Sequence, residues 1–119
     1  MSWLSKSLLA NRWRGDVIGH INGQSQLLRL SLDALARLEN AVPDDNIIAF
    51  LQRISTSGMR ADDALWIIRA GLYGAKESLR GGDDAAEDAI EVRGGYHAAV
   101  RLATDLLVAA FQPNVQKTN

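Results

Sequence analysis

The sequence predicts an α+β fold, mainly α in content: an N-terminal two-stranded antiparallel β-hairpin packed on about five α-helices. Three observations predict it. Asn22-Gly23 lies between two short runs with period-two apolar spacing; the period changes to about 3.6 after Leu30; and Pro or Gly punctuates the later helical runs.

The hairpin is expected over Asp16–Ile21 and Gln24–Leu30. A type I′ turn needs φ > 0 at both central residues, which Asn tolerates and Gly adopts freely. With Asn22-Gly23 at the tip, Ile21 lies opposite Gln24, Gly19 opposite Gln26 and Val17 opposite Leu28. One face then carries Val17, Ile21, Leu28 and Leu30 towards the helices. The other pairs Ile18 with Leu27 and Asp16 with Arg29, the last as an exposed cross-strand contact worth under ~1 kcal/mol. A lone hairpin is marginal in water, so these strands need helices against them.

The first helix starts at Leu32, with Ser31 as cap and Asp33 at the positive end of its dipole. Leu32, Leu35 and Leu38 mark its buried stripe, small Ala34, Ala36 and Ala41 allow close approach, and Pro43 stops it. Asp44 or Asp45 caps a second helix with Ile47, Ile48, Leu51 and Ile54 on one face, ended by Ser55-Thr56-Ser57-Gly58. A third, from about Arg60 to Tyr73, is apolar nearly all round and belongs in the centre. Gly74 to Gly82 reads as a loop. A short fourth helix runs from Asp83 or Asp84 to Gly94-Gly95, with Asp84, Glu87, Asp88 and Glu91 as a solvated acidic side. The last spans about Tyr96–Phe111, with Ala99, Leu102, Ala103, Leu106, Leu107 and Ala110 in its stripe.

Three segments follow: an N-terminal extension over 1–9, a single domain over 10–112 and a polar tail over 113–119, expected to be disordered. A chain of 119 residues buries roughly two-thirds of its unfolded surface, enough for one core. The net charge of −1 gives the chain as a whole no electrostatic reason to hold nucleic acid or an anionic membrane. No cysteine is present, which removes disulfides, thiol catalysis and zinc–thiolate sites together and fits a reducing cytoplasm. Met1–Leu9 has too short an apolar run for a signal peptide, and no stretch approaches the ~18 apolar residues of a membrane span.

Nothing in the chain specifies chemistry. His20 and His97 have no metal-ligand spacing around them and read as structural or surface residues. Gly81-Gly82 and Gly94-Gly95 lack the strand-to-helix context of a phosphate loop. No serine stands beside a base in a recognisable motif. The expectation is a non-enzymatic protein with no cofactor and no metal. Arg12-Trp13-Arg14 reads as a structural aromatic between solvated cations. The alternative function is a helix-turn-helix-like transcriptional regulator using the second and third helices. Its recognition helix would begin Arg60-Ala61-Asp62-Asp63, where carboxylates repel the DNA backbone.

Ala10-Asn11-Arg12-Trp13-Arg14-Gly15-Asp16-Val17 resembles the A-N-x-x-R-G-E-V start of small tail proteins from gene transfer agents and siphophage-like tails. Leu28 to Glu39 is similar to their L-x-L-[ST]-x-x-A-L-x-x-L-E segment. The likeness continues through Arg53, Gly58, Arg69-Ala70-Gly71-Leu72 and Gly94-Gly95 to Phe111. It departs at Met1–Leu9, which precedes the usual start, and at Val42-Pro43-Asp44, where the family has phenylalanine-glycine. Members are labelled both tail tube proteins and tail-assembly-chaperone-like proteins. The resemblance implies a role in phage-like tail morphogenesis in the cytoplasm of a bacterial host. Such chaperones coat the tape-measure protein until tube subunits polymerise around it. Tube subunits are β-sandwich-like, so one hairpin followed by helices is more like the chaperone. The implied partners are the tape-measure protein and then the tail tube protein.

The third helix has more apolar residues than one core face uses. Leu65, Ile68 and Leu72 fill one stripe and leave Trp66 and Tyr73 on a neighbouring flank beside Arg69. Aromatics and arginine are enriched at binding hot spots. Trp66, Arg69 and Tyr73 are therefore the candidate residues of a partner-binding or self-association surface, the alternative being that the last helix or the hairpin covers them.

Overall fold

The computed structural model describes residues 16–80 and 90–111, without the side chains of 77–80. Two strands, β1 (Asp16–Ile21) and β2 (Gln24–Arg29), are followed by four helices: α1 (Leu32–Ala41), α2 (Ile47–Ser57), α3 (Ala61–Arg80) and α4 (Gly95–Phe111). The α+β class holds.

Asn22 (φ 53°) and Gly23 (φ 80°) both take the left-handed conformation, and the pairing from Asp16↔Arg29 to Ile21↔Gln24 is the expected one. Ile21 and Leu28 are fully buried on the face that packs against the helices. The Asp16–Arg29 contact is not exposed as the sequence suggested. Arg29 Nε donates to Asp16 Oδ1 at 2.6 Å, and both residues are buried.

Ser31 caps α1, its Oγ accepting from the Ala34 N–H at 3.1 Å. The buried stripe is shifted from the one expected: Ala34 and Leu38 are in the core, whereas Leu32 is 83% exposed. Leu32 is the first helical residue. The cap of α2 is Asn46, not Asp44 or Asp45; its Oδ1 accepts from the Ala49 N–H at 2.8 Å. That shift turns Phe50 into the core and leaves Ile48 55% exposed. Phe50 was absent from the expected stripe.

The third helix is longer than expected, running through Gly74 to Arg80. Gly74 reads as a breaker because glycine costs helix stability, about 1 kcal/mol relative to alanine. Its role here is steric. A Cβ at Gly74 would stand 2.0 Å from the Arg29 carbonyl oxygen, and one at Gly71 would stand 3.0 Å from Leu106 and 3.2 Å from Leu28. The missing side chains let α3 lie directly on β2. Ala64, Ile67, Ile68, Ala70, Leu72 and Ala75 of α3 are buried, so the helix is central as expected. On α4, Leu102, Ala103 and Leu106 close the core, with Leu102 packed over Gly19 of β1. Helix α1 packs on α3, and α2 on α1.

The expected helix between Asp83 or Asp84 and Gly94-Gly95 falls mostly outside the described residues, as do Asp84, Glu87 and Asp88. Its described end is not helical. Val92 forms an antiparallel bridge with Ile21, and Arg93 N–H donates to the His20 carbonyl at 3.2 Å. Asn22 and Glu91 bind reciprocally: the Asn22 N–H reaches the Glu91 carbonyl at 2.8 Å, and the Glu91 N–H reaches Asn22 Oδ1 at 2.8 Å. This segment covers the outer edge of β1 at its tip. Glu91 is spent there rather than on an acidic helix side.

The Gly74 contact can be tested by its sign. Intrinsic propensity alone predicts that Gly74→Ala stabilises α3 by about 1 kcal/mol. Against backbone that cannot give way, the same change is expected to destabilise the domain by about 1–3 kcal/mol in urea unfolding.

Candidate partner-binding groove

Residues three, four and seven apart on a helix share a face, which places Trp66, Arg69 and Tyr73 along one flank of α3. The structure brings all three together in an open groove of ≈ 790 Å³ between α3 and α1. Helix α1 supplies the opposite wall with Arg37 and Ala41, and Leu38 and Ala70 form the apolar floor. Trp66 is 40% exposed, while Tyr73 is half-buried.

Each aromatic ring carries a guanidinium. Arg37 Cζ sits 3.8 Å from the centroid of Tyr73, across the two helices, and Arg69 Cζ sits 5.9 Å from that of Trp66. Cation–π contacts of this kind contribute roughly 0.5–1 kcal/mol at exposed sites and hold the flat faces in place. The groove thus offers preformed aromatic surface and donor-rich cations over an apolar floor, a combination suited to a peptide side-chain array rather than to bond-making chemistry. Arg37 was missed from the sequence. It lies off the apolar stripe of α1, and nothing in its own helix reveals that Tyr73 will lie beneath it.

Beside Trp66, a smaller recess of ≈ 270 Å³ leads to an ion-pair brace. Arg53 of α2 binds Asp44 through Nε and Nη2 at 2.9 and 3.0 Å, and Asp63 through Nη1 and Nη2 at 3.1 and 3.0 Å. Asp63 also accepts the Arg60 backbone N–H at 3.0 Å, the acidic half of a capping box at the start of α3. One guanidinium therefore ties the α1–α2 turn, α2 and the first turn of α3. The hydrogen bond from Arg53 holds the Asp44 carboxyl below its ordinary range. At Asp63, burial pushes the carboxyl up, but Arg53 and the Arg60 N–H outweigh it, so it too lies below the usual range. Both carboxylates raise the pKa of Arg53, which stays charged.

The histidines do not converge. His20 is exposed and lines a separate cleft of ≈ 700 Å³ beside Tyr96, while His97 is exposed and is not among that cleft's lining residues. Among the described residues no group of three or more His, Asp or Glu side chains is placed to hold a metal ion, and no helix is long and apolar enough to cross a membrane. Arg12-Trp13-Arg14 lies outside the described residues.

The fold is a small α+β domain with an open, aromatic-lined groove between two helices. Its sequence matches the family described as "Phage tail tube protein, GTA-gp10" over residues 14–113, and the chain belongs to that family of phage and gene transfer agent tail proteins. It is a non-enzymatic tail morphogenesis protein, and membership implies interaction with other tail components. No curated protein and no solved structure matches the chain.

The brace has a signed pH dependence. Carboxyls whose folded pKa is depressed contribute stability that is present above the ordinary value of 3.8 and lost as pH falls through the folded pKa. Arg53→Met is expected to lower the thermal midpoint at pH 7. The gap from the unaltered protein should narrow as pH drops below about 4, where protonation dissolves the brace in both proteins. A gap that stays constant across that window would exclude the brace as its source.

Proposed function

We propose that this protein is a tail-assembly chaperone that holds the tape-measure protein through the α1–α3 groove in the cytoplasm of the bacterial host. The observation that carries the reading is the groove itself: a half-exposed tryptophan, a tyrosine and two arginines over an apolar floor. Contiguous aromatic and apolar surface, unlike a single exposed side chain, marks an interaction site on a monomer. A tape-measure protein is a long apolar helix that needs covering before tube subunits assemble around it. A groove between two helices accepts a third helix by laying its apolar face along the floor.

The family description names a tube protein. We favour the chaperone because tube subunits close rings through extended sheets, and the described sheet has two strands with one edge partly covered by 91–93. The DNA-binding alternative draws no support from the start of α3. There Asp63 is engaged with Arg53, and Asp62 is exposed where a recognition helix would meet phosphates.

Co-expression with the tape-measure protein of the same element is expected to yield a soluble complex. Trp66→Ala should weaken capture at least about tenfold, as for a hot-spot aromatic, and Arg37→Ala should weaken it less. The same Trp66 change should cost under ~2 kcal/mol of stability, against ~3–5 for a fully buried aromatic. Assembly of the purified protein into tubes without tape-measure binding would overturn the chaperone reading. Salt-sensitive binding to duplex DNA would favour the regulator.

A further inference from the structure

In an antiparallel hairpin, backbone groups point alternately to the partner strand and away from it. The Asn22-Gly23 turn and the bridge to Val92 fix that alternation here. His20 exposes its carbonyl on the outer edge of β1, where it accepts from Arg93. By the observed register, Ser25, opposite His20, and Leu27, opposite Ile18, direct their N–H and C=O groups to the outer edge of β2. The two edges are treated differently. Residues 91–93 pair with β1 near the tip, and α3 reaches the Arg29 end of β2 through Gly74. Between that contact and the turn, Ser25 and Leu27 make no backbone hydrogen bond outside the hairpin among the described residues.

Open edges in soluble proteins are commonly blunted by lysine, proline or a bulge. The stretch Gln24-Ser25-Gln26-Leu27-Leu28 has no charge and no proline, and its pairing with β1 has no bulge. It is also self-complementary. Set antiparallel to a second copy about a two-fold axis at Gln26, Ser25 of one chain falls opposite Leu27 of the other, and each such pair exchanges both of its N–H···O bonds. Gln26 then faces Gln26, a pairing that brings no like charges together. On the outer face, half-exposed Leu27 falls opposite the neighbouring copy's Ser25, with exposed Ile18 one strand further in.

We propose that the protein self-associates through the Ser25–Leu27 edge of β2, joining the hairpins of two copies into one continuous sheet. The surface is separate from the α1–α3 groove, so a dimer of this kind presents two grooves. A segment this short makes a small interface of the transient class.

Sedimentation equilibrium at concentrations up to about 1 mM is expected to show a monomer–dimer equilibrium. Backbone amide exchange at Ser25 and Leu27 should slow as concentration rises, while exposed loop amides do not change. Ser25→Pro removes an outward N–H that the hairpin itself does not use, and should weaken dimerisation about tenfold or more with an unchanged far-UV spectrum. A double variant, Ser25→Lys with Leu27→Lys, tests the same edge by charge should proline disturb the strand, and its dimer should weaken further at low salt. A protein that stays monomeric throughout that range overturns the proposal. So does a dimer in which Ser25 and Leu27 amides exchange freely, or one that survives in the folded double-lysine variant. Tape-measure capture is read separately, through Trp66→Ala, so loss of either function leaves the other result standing.

Discussion

The approach of α3 to β2 is the constraint on which the rest of this domain depends. With no Cβ at Gly71 or Gly74, the helix backbone lies against Leu28 and the Arg29 carbonyl, closer than any helix bearing side chains at those positions could come. Burial of Ile67 and Ile68 follows from it, as does the position of α4, whose Leu106 and Leu102 reach Gly71 and Gly19. A hairpin unable to stand alone in water gains its apolar partners in this way. Seating α3 so deeply also fixes which of its flanks turns outward, and that flank carries Trp66, Arg69 and Tyr73.

Two ion-pair arrangements hold the periphery, and they differ in kind. Asp16 and Arg29 are buried at the open end of the hairpin, where breaking an ion pair costs more than at the surface. Such a pair is a weak source of net stability but a strong penalty on any slipped register. The Arg53 brace is more exposed. Its importance is geometric: a planar fork engages two carboxylates from different elements at once, which a lysine ammonium does not reproduce. It places α2 and the α1–α2 turn beside Trp66 and so shapes one end of the groove.

Membership in a tail-protein family and the α1–α3 groove describe the same molecule from two directions. The groove combines aromatic faces, guanidinium donors and an apolar floor. The proposed groove and edge lie on different elements, so the two proposals do not compete for one surface.

The hairpin, its register and the approximate starts of the four described helices were legible in the sequence because they rest on local physics. Asn-Gly accepts positive φ, apolar residues repeat with the period of the element, and Ser31 caps the helix that follows it. The flank of Trp66, Arg69 and Tyr73 was legible for the same reason, since helical spacing alone puts them on one side. What the tertiary structure decided was whatever depends on a neighbour distant in sequence. Gly74 reads as a helix end until the Arg29 carbonyl occupies the space of its side chain. Asp16 and Arg29 read as surface charges although the fold buries both. Arg37 became part of the groove only when α1 docked on α3, and Asp44 pairs with Arg53 while Asn46 caps α2. Periodicity gives the inward side of an element only approximately, as exposed Leu32 and Ile48 and buried Phe50 show, and what lies there is set by packing between segments that the sequence does not place side by side.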